Sequence, residues 1–227
     1  MSDARAEILG RIGAAVGGDD TRAATVRARL SEHGRNLVPR RGQVTGAEAR
    51  DAFTTRMGAN AGTVQHLSGV AQILPAIADY LRAQSVTGPL RLQPDRVLCG
   101  LDRAPLAPWE VREGVPAPED ATGVSVAFAG IAETGSLLMH SGDDAPTLMN
   151  FLPENHIAIL PSCRLVGALE EGWDRLRRAR NNQMPRAVNL ISGPSRSADI
   201  AMTMIMGAHG PKRLHVLMVD GDDWQEI

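Results

Sequence analysis

The sequence predicts an α/β fold: a mostly parallel sheet with helices on both faces, preceded by an N-terminal helical extension. Three observations carry this expectation. Short apolar runs at 124–128, 137–139, 156–160, 187–191 and 214–219 have the length and composition of strands. Stretches of helical character at 166–178 and 197–206 stand between them, and strands alternating with helices argue a parallel sheet covered on both sides. At 227 residues, with 43% hydrophobic but only 3% aromatic content, the chain can bury a proper core made of Ala, Val, Leu, Ile and Met.

Taken in order, Ile8, Leu9, Ile12 and Val16 recur at helical spacing, so 3–16 reads as an amphipathic helix stopped by Gly17-Gly18. Residues 19–42 are rich in Arg and short of apolar periodicity. They read as an extended arm with one short helix near 26–30, which sets 1–42 apart from an α/β domain over 43–227. In that arm Arg22, Arg27, Arg29, Arg35, Arg40 and Arg41 form either a solvated face or a dock for an acidic partner. A helix is expected at 48–57 and a strand at 63–67. Val70, Ile73, Leu74, Ile77, Ala78 and Leu81 make a helical stripe, in which Pro75 marks a kink or a first turn. Residues 92–118 carry several prolines and Trp109, with 97–99 as a short strand.

Bulk properties narrow the function. A net charge of −2 gives no basic footprint for nucleic acid. No apolar run approaches the ~18 residues of a membrane span, and no signal-peptide core is visible, so a cytoplasmic protein is expected. Cys99 and Cys163 are the only cysteines and stand far apart, whereas an iron–sulfur cluster usually takes four thiolates. This chain alone is therefore expected to bind no cofactor, and its spacings offer no dedicated metal site. Neither a dinucleotide-binding G-x-G-x-x-G nor a phosphate-binding G-x-x-x-x-G-K loop occurs.

Two segments carry chemistry. The run 187–191 breaks into Ser192-Gly193-Pro194-Ser195-Arg196-Ser197-Ala198-Asp199, which reads as a strand, a tight turn and a helix N-terminus. Such a junction presents free N–H groups to an anion, with Gly193, Ser195, Ser197 and Asp199 at the turn and His209-Gly210 closing it; Gly210 joins them as a ligand-binding candidate. The alternative is a plain turn and helix cap. Earlier, Glu133 stands in a small, apolar stretch where desolvation would raise a carboxylate pKa for acid–base work. Thr134, Gly135 and Ser136 beside it offer donors and a close approach. The alternative for Glu133 is pairing with a buried Arg or a helix end. Both motifs follow strand ends, where α/β sheets gather ligands, so they are expected to share one crevice. His156 and His209 join Glu133 as catalytic candidates, each able to move a proton or bind a ligand.

The order Ile131-Ala132-Glu133-Thr134-Gly135-Ser136, then Phe151-Leu152-Pro153-Glu154-Asn155-His156, then the Ser-Gly-Pro-Ser turn and His209-Gly210-Pro211-Lys212, resembles the lactate-utilization (LUD) domain family, in its lactate-utilization protein C branch. The resemblance is strong over 123–220 and looser at the N-terminal helix. It implies a sugar-isomerase and CoA-transferase-like fold. It also implies a role in oxidising L-lactate to pyruvate beside iron–sulfur partner subunits, which would bring the clusters, with a small anionic ligand bound by this chain. Two other functions stay open: a stand-alone enzyme on a CoA ester, folate or phosphorylated small molecule using Glu133, and a structural adaptor.

Overall fold

The computed structural model describes all residues except 1–3, 18–19, 199–203, 222–223 and 225–227. The chain divides into two units, Met1–Leu37 and Val38–Ile227. The first holds α1 (Ala4–Val16) and α2 (Asp20–Glu32). Helix α1 lies where the periodicity predicts it. Helix α2 corrects the expectation of an extended arm with a short helix at 26–30. Its Ala and Arg residues favour helix intrinsically, so no apolar stripe is needed to write one.

In the second unit the elements run α3 (Gly46–Ala59), β1 (Thr63–Leu67), α4 (Ile73–Ala83), β2 (Leu90–Leu92), α5 (Arg96–Cys99), β3 (Val111–Glu113), β4 (Thr122–Val126) and β5 (Ala129–Ile131). They continue through β6 (Ser136–His140), β7 (Asn155–Pro161), β8 (Leu165–Val166), α6 (Leu169–Ala179), β9 (Val188–Ile191), β10 (Arg196–Ala198), β11 (Met204–Met206) and β12 (Arg213–Val219). Six strands form one sheet in the order β1-β12-β7-β4-β2-β3, with every neighbouring pair parallel. The α/β class with a mostly parallel sheet is as expected.

The sheet's central strands explain why they read as apolar runs. Every residue of β4 and β7 is buried, and β12 is buried beyond Arg213. Their side chains sort by the two-residue pleat onto opposite faces. Ile157, Ile159, Leu217 and Val219 pack with Ile73, Leu74, Ile77 and Leu81 of α4. Ala158, Leu160, Val216 and Met218 pack instead with Phe53 and Met57 of α3. Pro75 falls in the first turn of α4, where no N–H is needed, so it starts the helix rather than kinking it.

Three local expectations are corrected. The runs at 137–139 and 187–191 are strands, but they pair antiparallel in a separate four-stranded sheet of order β8-β5-β6-β9. That sheet stacks Ile131 and Leu138 on Leu176 of α6, while Leu137 and Met139 cover the α3 face of the large sheet. Residues 97–99 belong to α5, not a strand, because the Asp95 carboxylate caps the Val97 and Leu98 N–H groups at 2.8 and 3.3 Å. The expected helix over 197–206 is instead an antiparallel pair, β10 with β11, in which Ser197 faces Ile205. Asp199 lies outside the described residues. Among the described residues no helix is long and apolar enough to cross a membrane.

Candidate functional site

Glu133 follows β5, and its backbone N–H extends the pairing with β8 by bonding the Gly167 carbonyl at 2.8 Å. The side chain, 8% exposed, turns to the start of α6. There Oε2 accepts from the Leu169 N–H at 3.1 Å, and Oε1 meets the Arg41 guanidinium at 3.4 Å. The geometry has a simple cause. Helix α6 has Ala168 at its N-cap, which carries no side-chain acceptor, so a carboxylate distant in sequence supplies one. Glu171 takes the Gly167 and Ala168 N–H groups at 2.8 and 3.1 Å. Glu133→Ala is expected to cost about 2 kcal/mol, since a buried N–H loses its partner. Glu133→Gln, which keeps an acceptor, should cost less than half of that. Equal losses in denaturant unfolding would contradict the capping role.

Next along the chain, the Thr134-Gly135-Ser136 turn is pressed against the end of α3. Arg56 donates to the Ala132 carbonyl at 2.8 Å. Ser136 Oγ donates to Thr134 Oγ1 at 2.7 Å and lies 2.6 Å from Ser192 Oγ. With its proton committed to Thr134, Ser136 must accept from Ser192. A hydroxyl chain therefore joins the two sequence motifs at one end of the small sheet.

Beyond Ser192 the chain lines a cleft of about 300 Å³ together with His156, His209, Gly210 and Phe151. Gly193 is required there: a Cβ would sit 2.4 Å from the Asn60 carbonyl oxygen. The Ser195 turn and the His209-Gly210-Pro211 turn are stitched together by the Ser195 N–H on the Pro211 carbonyl at 2.8 Å, and by the Gly207 N–H on the Ser195 carbonyl at 2.9 Å. His156 is 1% exposed. Its Nε2 lies 2.7 Å from Ser125 Oγ, while Nδ1 is buried without a partner among the described residues. Burial pushes its pKa down to about 4, so the ring is neutral near pH 7. Among the described residues lining the cleft none is a carboxylate, and Arg196 and His209 stand at it.

The cleft thus gathers His156, His209, Gly193, Ser195 and Gly210, while Ser197 goes to the β10–β11 pair and Glu133 lies beyond the lining. The expected crevice is half realised: the motif loops touch through Ser136 and Ser192, but the Glu133 carboxylate faces α6. The cleft also opens at the amino ends of β7 and β12, where His156 and Leu214 sit, rather than at carboxyl ends. With β10 at Arg196–Ala198, no helix N-terminus among the described residues serves the Ser195 turn. Sequence reasoning passed over Arg56, Ser125 and Ser192. Only Ser192, inside the quoted motif, carried a signal.

A family comparison covers this whole arrangement from β4 to β12. Residues 120–219 match the LUD domain. The resemblance read from the motifs is thereby borne out. The chain is similar to proteins named lactate utilization protein C: 33% identical over 126 residues in Halalkalibacterium halodurans, covering 53% of this chain and 55% of the relative. The Bacillus subtilis protein of that name is 32% identical over 123 residues, covering 51% of each. The chain spans about half the length of the curated relatives it matches. A crystal structure of a DUF162 family protein from Deinococcus radiodurans shares the fold, with a TM-score of 0.54, 22% identity, and coverage of 78% of this chain and 99% of that one.

Proposed function

We propose that this protein takes part in L-lactate utilization, supporting oxidation of lactate to pyruvate beside iron–sulfur partner proteins, and that the cleft around His156 and Ser195 holds a small anionic ligand. The observation that carries the reading is the LUD match over 120–219 together with the relatives named lactate utilization protein C. The cleft supports it chemically: its walls bring a guanidinium and hydroxyls but no carboxylate among the described residues. A carboxylate ligand is favoured there by charge and by hydrogen-bond donors.

Within the cleft, His156 is the group suited to a proton. It is a neutral imidazole on the cleft wall with one nitrogen on Ser125, and its buried, unpartnered Nδ1 can act as acceptor or donor according to tautomer. Ser192 and Ser195 position the turn. Removal of hydrogen from a 2-hydroxy acid needs an electron acceptor. Cys99 and Cys163 are fewer than a cluster's usual four thiolates, so the acceptor is assigned to partner proteins.

Deleting the protein is expected to abolish growth on L-lactate while leaving growth on pyruvate intact. Wild-type protein should restore growth, and His209→Ala, at an exposed position, should restore it only weakly. Undiminished growth of the deletion strain on L-lactate would refute the assignment.

A further inference from the structure

We propose that a second cavity, of about 400 Å³, binds a small singly charged oxyanion through Arg164. It lies at the carboxyl ends of β2 and β4, where Gln93 and Val126 line it, and Asn150 is shared between its wall and the motif cleft. No motif in the sequence marked it, and the proposal is independent of the lactate reading.

Arg164 ends a tight turn after β7 and is 8% exposed. One guanidinium nitrogen donates to the Ala127 carbonyl at 3.2 Å, and the group stands 5.6 Å over the Trp224 ring. Its Nε is buried with no partner, and among the described residues no carboxylate lies within ion-pair distance. A buried cation without a counter-ion is costly, and proteins normally pair it. Arg164 lines the cavity, and a planar guanidinium there suits a carboxylate or phosphate oxygen pair.

The surroundings agree. Arg180 lies 3.2 Å from the His140 ring across the same cavity. Burial first, then Arg180 and Arg164, keep His140 below its ordinary pKa, which leaves the arginines as the positive charges of that wall. Asn150 keeps its Oδ1 buried without a partner, an acceptor for a ligand hydroxyl. The Asp95 carboxylate also lines the cavity; it bonds the α5 N–H groups, and its charge supports the charged form of Arg164 from beyond ion-pair distance. Asp143 and Asp144 are exposed on the lining, and they select against ligands of high negative charge.

The test is titration of the ¹⁵N-labelled full chain with L-lactate, pyruvate and inorganic phosphate at constant ionic strength, following the backbone N–H resonances of Gln93, Val126 and Asn150 in every variant and the Arg164 side-chain N–H resonance where it is present. A saturable shift with at least one of the three is expected, with affinity falling at least about tenfold in Arg164→Gln. A response to the carboxylates alone identifies an organic acid, and a response to phosphate alone identifies a phosphate site. Should Arg164→Gln fail to fold, Arg180→Gln, at an exposed position, should weaken binding several-fold. No saturable shift with any of the three, or unchanged affinity in the folded variants, would overturn the site.

Discussion

Lowering the pH from 7 to 5 should cost this protein about 4 kcal/mol of stability, shared between His156 and His215. Both rings have their pKa pushed down to about 4 by burial. His215 is stacked on Tyr80 at 4.4 Å, with Nδ1 on Thr63 Oγ1 at 2.7 Å and Nε2 unpartnered among the described residues. An unfolded histidine takes a proton near pH 6.5. Between that value and about 4 the unfolded chain therefore binds protons that the folded one refuses. Stability is full above pH 6.5 and falls on acidification, by up to about 1.4 kcal/mol per pH unit for each ring. Carboxylates with lowered pKa, such as Asp220, lose their contribution only nearer pH 4, so the window from 6.5 to 5 belongs to the histidines. Denaturant unfolding across this range should show the slope, to which His140, also held below its ordinary pKa by burial, adds a smaller part, and His156→Gln should cut it by up to half. A flat profile would mean that the rings are charged or solvated.

The second large effect is expected at Gly135, where Gly135→Ala should cost about 3 kcal/mol from backbone strain and overpacking together. Its φ of 64° lies in the left-handed region. A Cβ there would come 2.5 Å from Arg56 Cβ and 2.8 Å from the Met57 N. The Met57 backbone belongs to the last turn of α3, whose Met57 side chain is fully buried, and cannot move aside cheaply. The turn must lift, which would part Ser136 from Ser192 and loosen the joint between the motifs. Urea unfolding measures the loss. A variant of wild-type stability would show that the turn is not seated on α3.

How much of this could be read from residues alone depended on where each element takes its stability. Strands β7 and β12 are buried on both faces, so their apolar runs announced them. Strands β6 and β9 were equally visible, but nothing local distinguishes an antiparallel partner from a parallel one, and their separate sheet stayed hidden. The 197–206 segment has helical texture, yet Arg196–Ala198 finds its partner in Met204–Met206. That pairing also removed the helix end on which an anion site at Ser195 had been argued. For the site, the motif order brought His156, His209 and the Ser195 turn to one cleft. Glu133 was legible as a carboxylate in an apolar stretch. Its engagement with Leu169 and Arg41 was not, because it depends on Ala168, a cap without an acceptor, many residues downstream. Arg164 gave no signal because its burial comes from tertiary packing alone.

The role in lactate utilization is tested most directly by L-lactate-dependent electron transfer in extracts of a strain lacking this chain, before and after the purified protein is added back. The account predicts that activity is absent without the chain, returns with wild-type protein, and returns far less with His209→Ala. Full lactate-dependent electron transfer in its absence would contradict it.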